Sequence, residues 1–147
     1  MIWMLRHAEA EQGTPDAERK LTKKGEAQAR AAGVALGRLG VRLDACLSSP
    51  KVRAFDTARL ACEHMGTEVT PDERLAGGPF DPRDVAAGLG DDVMLVGHEP
   101  DFSLALHRMT GAQVRMKKAG LAGVDRGELK LLLRPSDLQA LANSQEE

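Results

Sequence analysis

Two apolar runs of strand length punctuate the chain, and each stops at a histidine. Ile2-Trp3-Met4-Leu5 ends in Arg6-His7, and Val93-Met94-Leu95-Val96-Gly97 ends in His98. A continuous apolar run this short reads as a strand covered on both faces of its sheet. A strand that stops at a basic residue and a histidine carries both side chains to the carboxyl edge of the sheet. In open α/β sheets that edge is where ligands bind.

The intervening sequence alternates between helical and extended patterns. Residues 9–20 are polar, contain Gly13 and Pro15, and read as a loop. Leu21-Thr22 opens a long helix with Thr22 as its N-cap, although Gly25 stands where a capping box places glutamate. Ala29, Ala32, Gly33, Leu36 and Leu39 recur at helical spacing, and Gly40 can end the helix. Residues 43–47 read as a second strand. Ser48-Ser49-Pro50 then turns the chain into a helix over 51–65, with Pro50 near its first position. A third strand is expected over 68–70, an irregular loop rich in glycine and proline over 75–82, and a short helix over 83–89. A strand over 92–97 and a helix over 100–109 follow.

Residues 119–124 and 128–133 flank Asp125-Arg126-Gly127 and read as a hairpin. Pro135-Ser136 begins a last short helix. Strands alternating with helices make this an α/β chain, and the hairpin makes its sheet mixed, though mostly parallel. The expected architecture is a three-layer sandwich with helices on both faces of that sheet. Residues 1–142 form one domain, and 143–147 a frayed tail.

Composition narrows the function. The length of 147 residues fits one domain with a real core. A net charge of -2 lacks the basic excess of a generic nucleic-acid binder. An aromatic content of 3%, without tyrosine, provides no stacking platform for single strands. No segment approaches a membrane span, and Arg6 cuts the first apolar run too early for a signal-peptide core. Cys46 and Cys62 form neither a disulfide framework nor a zinc pattern. They read as buried thiols in a reducing compartment, which places the protein in the cytoplasm. Asp81, Asp84, Asp91 and Asp92 follow no ion-binding loop pattern, so no metal or other cofactor is expected. Nothing in the sequence sets an oligomeric state.

A third basic residue joins the two strand ends. Arg53 falls in the first turn of the helix after Ser48-Ser49-Pro50, where unpaired N–H groups and the helix dipole already favour an anion. Its guanidinium adds a planar fork of donors matched to phosphate. A solvated charge is the usual fate of helix arginines such as Arg30 and Arg59; the strand end beside Arg53 sets it apart. Gly97 allows close backbone approach before His98, and Pro100 can start the next helix. Arg6, His7, Arg53 and His98, on three strand–helix junctions, suggest a pocket for a small, highly charged anion, with phosphate the obvious candidate.

Arg6-His7-Ala8-Glu9-Ala10, Ser48-Ser49-Pro50 through Arg53-Ala54 to Thr57-Ala58, and Val96-Gly97-His98 resemble the three core motifs of the histidine phosphatase superfamily. That group contains cofactor-dependent phosphoglycerate mutases and many phosphatases. Arg19-Lys20-Leu21-Thr22-Lys23-Lys24-Gly25 and Lys117-Lys118-Ala119-Gly120-Leu121-Ala122 are similar to segments of its SixA-type phosphohistidine phosphatase branch. The resemblance implies a phosphoglycerate mutase-like fold. It implies His7 as the nucleophile that takes the phosphoryl group, and Arg6, Arg53 and His98 as ligands of the phosphate oxygens. Arg19, in a loop able to fold over the pocket, is a further candidate phosphate ligand. Lys117 and Lys118 can rim the cleft and attract an acidic partner surface.

Elementary chemistry agrees with this division. Phosphoryl transfer has a loose transition state, so catalysis is mostly positioning and charge stabilisation by cationic donors. A nucleophilic imidazole must carry a lone pair; its ordinary pKa of about 6.5 leaves much of it neutral near pH 7, and two arginines push the pKa lower. Two departures from the superfamily pattern matter. Ala8 replaces the glycine usual in the first motif, as the SixA-type branch tolerates. Residues 75–82 lack the glutamate that many relatives use as a proton donor, and Asp81 is the acid in that stretch. The P–N bond of phosphohistidine has a good leaving group, whereas an alkyl ester needs an acid. The expectation is a metal-independent phosphatase that works through a covalent phosphohistidine, with a phosphorylated protein as its partner. The alternatives are a phosphomonoesterase acting on a small phosphorylated substrate and a non-catalytic phosphate-binding module.

Overall fold

Alternating side chains on the central strands divide the core in two. Along β1 (Ile2–Arg6), Trp3 and Leu5 pack into one hydrophobic cluster and Met4 into another. Along β4 (Val93–Gly97), Met94 and Val96 join the first cluster, and Val93 and Leu95 the second. All five residues of β4 are buried, as a parallel strand covered on both faces requires. The first cluster is closed by α1 (Lys23–Arg38), α2 (Val52–Met65) and α5 (Pro135–Asn143), through residues such as Leu36, Ala58 and Leu138. The second is closed by α3 (Pro82–Ala86) and α4 (Asp101–Thr110), through Val85, Phe102 and Leu106.

The structure is a computed structural model that describes residues 1–144, so part of the expected tail, 145–147, lies outside the described residues. The remaining strands are β2 (Ala45–Ser48), β3 (Val69–Pro71), β5 (Leu121–Asp125) and β6 (Glu128–Leu133). They complete a six-stranded sheet of order β3-β2-β4-β1-β5-β6. The first four strands run parallel; β5 is antiparallel to β1, and β6 to β5. This is the expected mixed, mostly parallel sandwich with helices on both faces. The β5–β6 turn places Arg126 at φ 52° and Gly127 at φ 74°, the left-handed pair that a tight hairpin turn requires.

Three local expectations are corrected. The helix expected over 83–89 begins at Pro82 and stops at Ala86, because Ala87 is extended and Gly88 takes φ 75°. Pro50 stays outside α2, whose N-cap is Lys51; the Ser49 hydroxyl accepts the Lys51 N–H at 3.2 Å and holds that segment as a turn. The last helix reaches Asn143, one residue into the expected tail.

Thr22 caps α1 as expected, accepting the Gly25 N–H at 3.0 Å. The structure also explains why glycine stands there. A Cβ on Gly25 would lie 2.0 Å from the Glu9 carbonyl oxygen, so the segment leaving β1 packs directly on the first turn of α1. Gly97 serves a similar purpose beneath the carboxyl edge, where a Cβ would meet the Phe102 ring at 2.7 Å.

Candidate active site

Strand register brings the two histidines together. β1 and β4 are parallel neighbours with Arg6 opposite Gly97, and β2 pairs with β4 with Ser48 opposite Val96. The next residues, His7 and His98, therefore leave the sheet at one level, with Ser49 one residue below, beside Gly97. The His7 N–H donates to Gly97 O and the Ser49 N–H to Val96 O, both at 3.0 Å. The rings of His7 and His98 lie 5.2 Å apart between centroids. His7, His98 and Arg53 are only 6–7% exposed.

The protonation of His7 follows from its partner. Nδ1 lies 2.8 Å from the carbonyl oxygen of Ala8, which can only accept, so Nδ1 carries the hydrogen and Nε2 the lone pair. Burial lowers the His7 pKa to about 4; the bond to Ala8 opposes this, while Arg53, Arg6 and Lys118 add to it. The ring is neutral at pH 7. The strand end is held on both sides. The Ala8 N–H donates to Thr57 Oγ1 at 2.9 Å, and that hydroxyl donates to Arg53 O at 2.7 Å. The Ala119 N–H is shared between Arg6 O and His7 O, with Ala119 in the left-handed region at φ 61°. Such local strain persists only where its surroundings enforce it.

The two arginines are held from opposite flanks. Arg6 Nη1 donates to Met116 O at 2.9 Å, and the Met116 N–H donates to Glu99 Oε2 at 3.2 Å. Glu99 also accepts the Ser103 N–H and hydroxyl, at 2.7 and 2.6 Å. Arg53 donates through Nη1 to Asp16 O and through Nη2 to Asp16 Oδ2. Arg19 stands behind this pair, donating through Nη1 to Asp16 Oδ1 and through Nε to Glu11 O. Arg19 thus reaches the cluster through Asp16, whose carboxyl it and Arg53 hold below the usual range.

His98 Nε2 lies 2.8 Å from Ser49 Oγ. Burial lowers the His98 pKa to about 3, aided by His7, Arg53 and Lys51 and opposed by Asp16. Among the described residues, the buried side-chain nitrogens without a hydrogen-bond partner are Arg6 Nε, Arg53 Nε and His98 Nδ1. Buried polar groups are otherwise almost always paired. The unpaired nitrogens all belong to side chains singled out in the sequence, and an oxyanion is the complement that guanidinium donors take.

Asp81 caps α3, accepting the Arg83 N–H at 2.9 Å and pairing with Arg83 Nε, which holds its carboxyl below the usual range. A general acid needs the opposite shift. Lys117 and Lys118 are exposed. Among the described residues, no group of three or more His, Cys, Asp or Glu is placed to hold a metal ion. Sequence reasoning does not single out Asp16, Ser49, Thr57 or Glu99 for a role. The available signals are position alone: Thr57 is one helical turn after Arg53, Glu99 follows His98, and Ser49 follows the end of β2.

The chain matches the family described as histidine phosphatase superfamily (branch 1) over residues 2–80. It is 26% identical to an uncharacterized protein of a Picosynechococcus species, across 88% of this chain and 87% of that one. A provisionally named phosphohistidine phosphatase SixA of Agrobacterium tumefaciens superposes with TM-score 0.78 at 25% identity, over 91% of this chain and 97% of that one. A protein histidine phosphatase SixA complexed with tungstate gives TM-score 0.80 at 20% identity, over 93% and 98%. The alpha-ribazole phosphatase of Shigella flexneri gives 0.71 at 18% identity, over 99% of each chain. The last two likenesses concern the fold.

Proposed function

Because the chain belongs to the histidine phosphatase superfamily, we propose that it is a phosphatase working through a covalent phosphoryl intermediate on His7, with phosphohistidine in a protein as its substrate. The observation that carries this reading is the bond from His7 Nδ1 to Ala8 O, which leaves the Nε2 lone pair free to attack phosphorus. In the first step Nε2 bonds to phosphorus, and the P–N bond of the substrate breaks with its electrons going to the departing imidazole, which takes a proton from solvent. In the second step water attacks phosphorus, the bond to His7 breaks, and inorganic phosphate leaves. Arg6, Arg53 and His98 stabilise the charge on the equatorial oxygens, and Arg19 supports Arg53 through Asp16. No step draws on a metal ion.

The roles taken by Asp16, Asp81 and Glu99 support this substrate class. Asp16 is drawn into pairs with Arg53 and Arg19, Asp81 caps α3, and Glu99 accepts three hydrogen bonds. Each of these carboxylates is already engaged by donors of its own, whereas a protonatable imidazole leaves without an added acid. A second reading, a small-molecule phosphomonoesterase on the same core, draws on the fold shared with an alpha-ribazole phosphatase.

The test is to incubate the protein, beside a His7→Ala variant, with a histidine-phosphorylated protein and a panel of aryl and alkyl phosphates. Fast turnover of phosphohistidine, and of aryl far above alkyl phosphate, supports the reading. Comparable turnover of alkyl esters favours the small-molecule enzyme. Binding without turnover leaves a phosphate-binding module.

A further inference from the structure

Resting on that phosphatase reading, we propose that Ser49 sets the tautomer of His98, so that a neutral imidazole presents an N–H at Nδ1 to the phosphate. Ser49 is fully buried, and its polar atoms are engaged in turn. Its N–H donates to Val96 O, its carbonyl accepts from the Ser48 hydroxyl at 2.9 Å, and its Oγ accepts the Lys51 N–H at 3.2 Å. The only group left on Ser49 is the hydroxyl hydrogen, and the remaining partner of Oγ is His98 Nε2 at 2.8 Å.

Counting hydrogens decides the direction of that bond. A hydroxyl has one hydrogen, and a neutral imidazole has one N–H. If Ser49 donates to Nε2, the imidazole hydrogen sits on Nδ1, and the single unpaired group is a donor that an anion satisfies. If Nε2 donates to Ser49, the hydroxyl hydrogen has no acceptor among the described residues, and Nδ1 buries a bare lone pair that would repel a phosphate oxygen. The first arrangement leaves one group to be satisfied by the ligand; the second leaves two unsatisfied and opposes it. His98 Nδ1 has no partner within the protein, so it is the ring atom left for the ligand. Ser49 acts through His98 and is a positioning residue. The Lys51 N–H and the end of β2 fix where its hydroxyl can point.

The experiment is nitrogen NMR of the full chain carrying 15N-labelled histidine, at pH 7, with and without inorganic phosphate. The wild type is expected to show His98 protonated at Nδ1 and unprotonated at Nε2. In Ser49→Ala, hydrogen should appear at Nε2, and the Kd for inorganic phosphate should rise roughly tenfold, the scale of one hydrogen bond to a charged group. Ser49→Thr, which keeps the hydroxyl, should restore both. A wild-type His98 protonated at Nε2, or at both nitrogens, overturns the proposal, and so does a Ser49→Ala protein with unchanged tautomer and affinity. If Ser49→Ala does not fold, the wild-type spectrum decides alone. The tautomer is read without turnover, so an inactive protein with hydrogen at Nδ1 supports this proposal and counts only against the phosphatase reading.

Discussion

Asp16 holds Arg53 with two different groups, its backbone carbonyl at 2.8 Å from Nη1 and its carboxylate at 3.1 Å from Nη2. The guanidinium is thereby fixed through its terminal nitrogens, while the buried Nε stays unpaired. An exposed acid on a polar loop thus orients a buried cation at the foot of α2. Asp16→Ala should lower kcat/KM by roughly tenfold, the scale of losing one charge-assisted hydrogen bond. The unfolding midpoint should scarcely move, because ion pairs with so exposed a carboxylate contribute little to stability. Steady-state kinetics checks this; a rise in kcat/KM would mean that Asp16 competes with substrate for Arg53.

Glu99 plays the matching part for Arg6, through the backbone of Met116. Its removal leaves the partly buried Met116 N–H and Ser103 N–H without their acceptor, a loss toward the lower end of the roughly 1–3 kcal/mol of a fully buried donor. Glu99→Ala should therefore lose both stability and kcat/KM. Ser103→Ala removes one donor to the same carboxylate and leaves the Met116 branch intact. It should lose stability but keep most activity. Denaturant melts beside kinetics of the two variants separate the roles, and equal activity losses would contradict the Glu99–Met116–Arg6 connection.

Both histidines make stability depend on pH. Their folded pKa values, about 4 for His7 and about 3 for His98, lie below the ordinary 6.5 of an unfolded chain. Between those limits the unfolded state binds more protons, so stability rises with pH there. The contribution is complete above about pH 6.5 and is lost progressively as pH falls below it, the loss ending near pH 4 for His7 and near pH 3 for His98. Between roughly pH 6 and 5, above the range where most carboxylates titrate, each ring should contribute a slope of up to about 1.4 kcal/mol per pH unit. Urea melts across that window should become shallower in pH for His7→Gln. A wild type whose stability is flat there, or a His7 ring that titrates near 6.5 by NMR, contradicts the neutral nucleophile.

Much of this was legible in the residues themselves. The apolar runs ending at His7 and His98 and the turn before Arg53 are local patterns, and parallel register converts them into one cluster. The hairpin was legible because Arg126-Gly127 carries its own turn chemistry. What escaped was set by distant packing. Asp16 lies 37 positions from Arg53 and Met116 lies 110 from Arg6, and no periodicity relates residues across such separations. Gly25 reads as a flaw in a helix cap until the Glu9 carbonyl is seen against it. The early stop of α3 depends on the left-handed Gly88, which single-residue propensity does not require.

The central claim is that the reacting atom of His7 is Nε2. Rapid alkaline quenching of the protein during turnover of an aryl phosphate, followed by 31P NMR and peptide mapping, measures it directly. The expected result is acid-labile phosphate on Nε2 of His7, absent in His7→Ala. Phosphate on Nδ1, on another residue, or no trapped phosphate during sustained turnover would contradict the account.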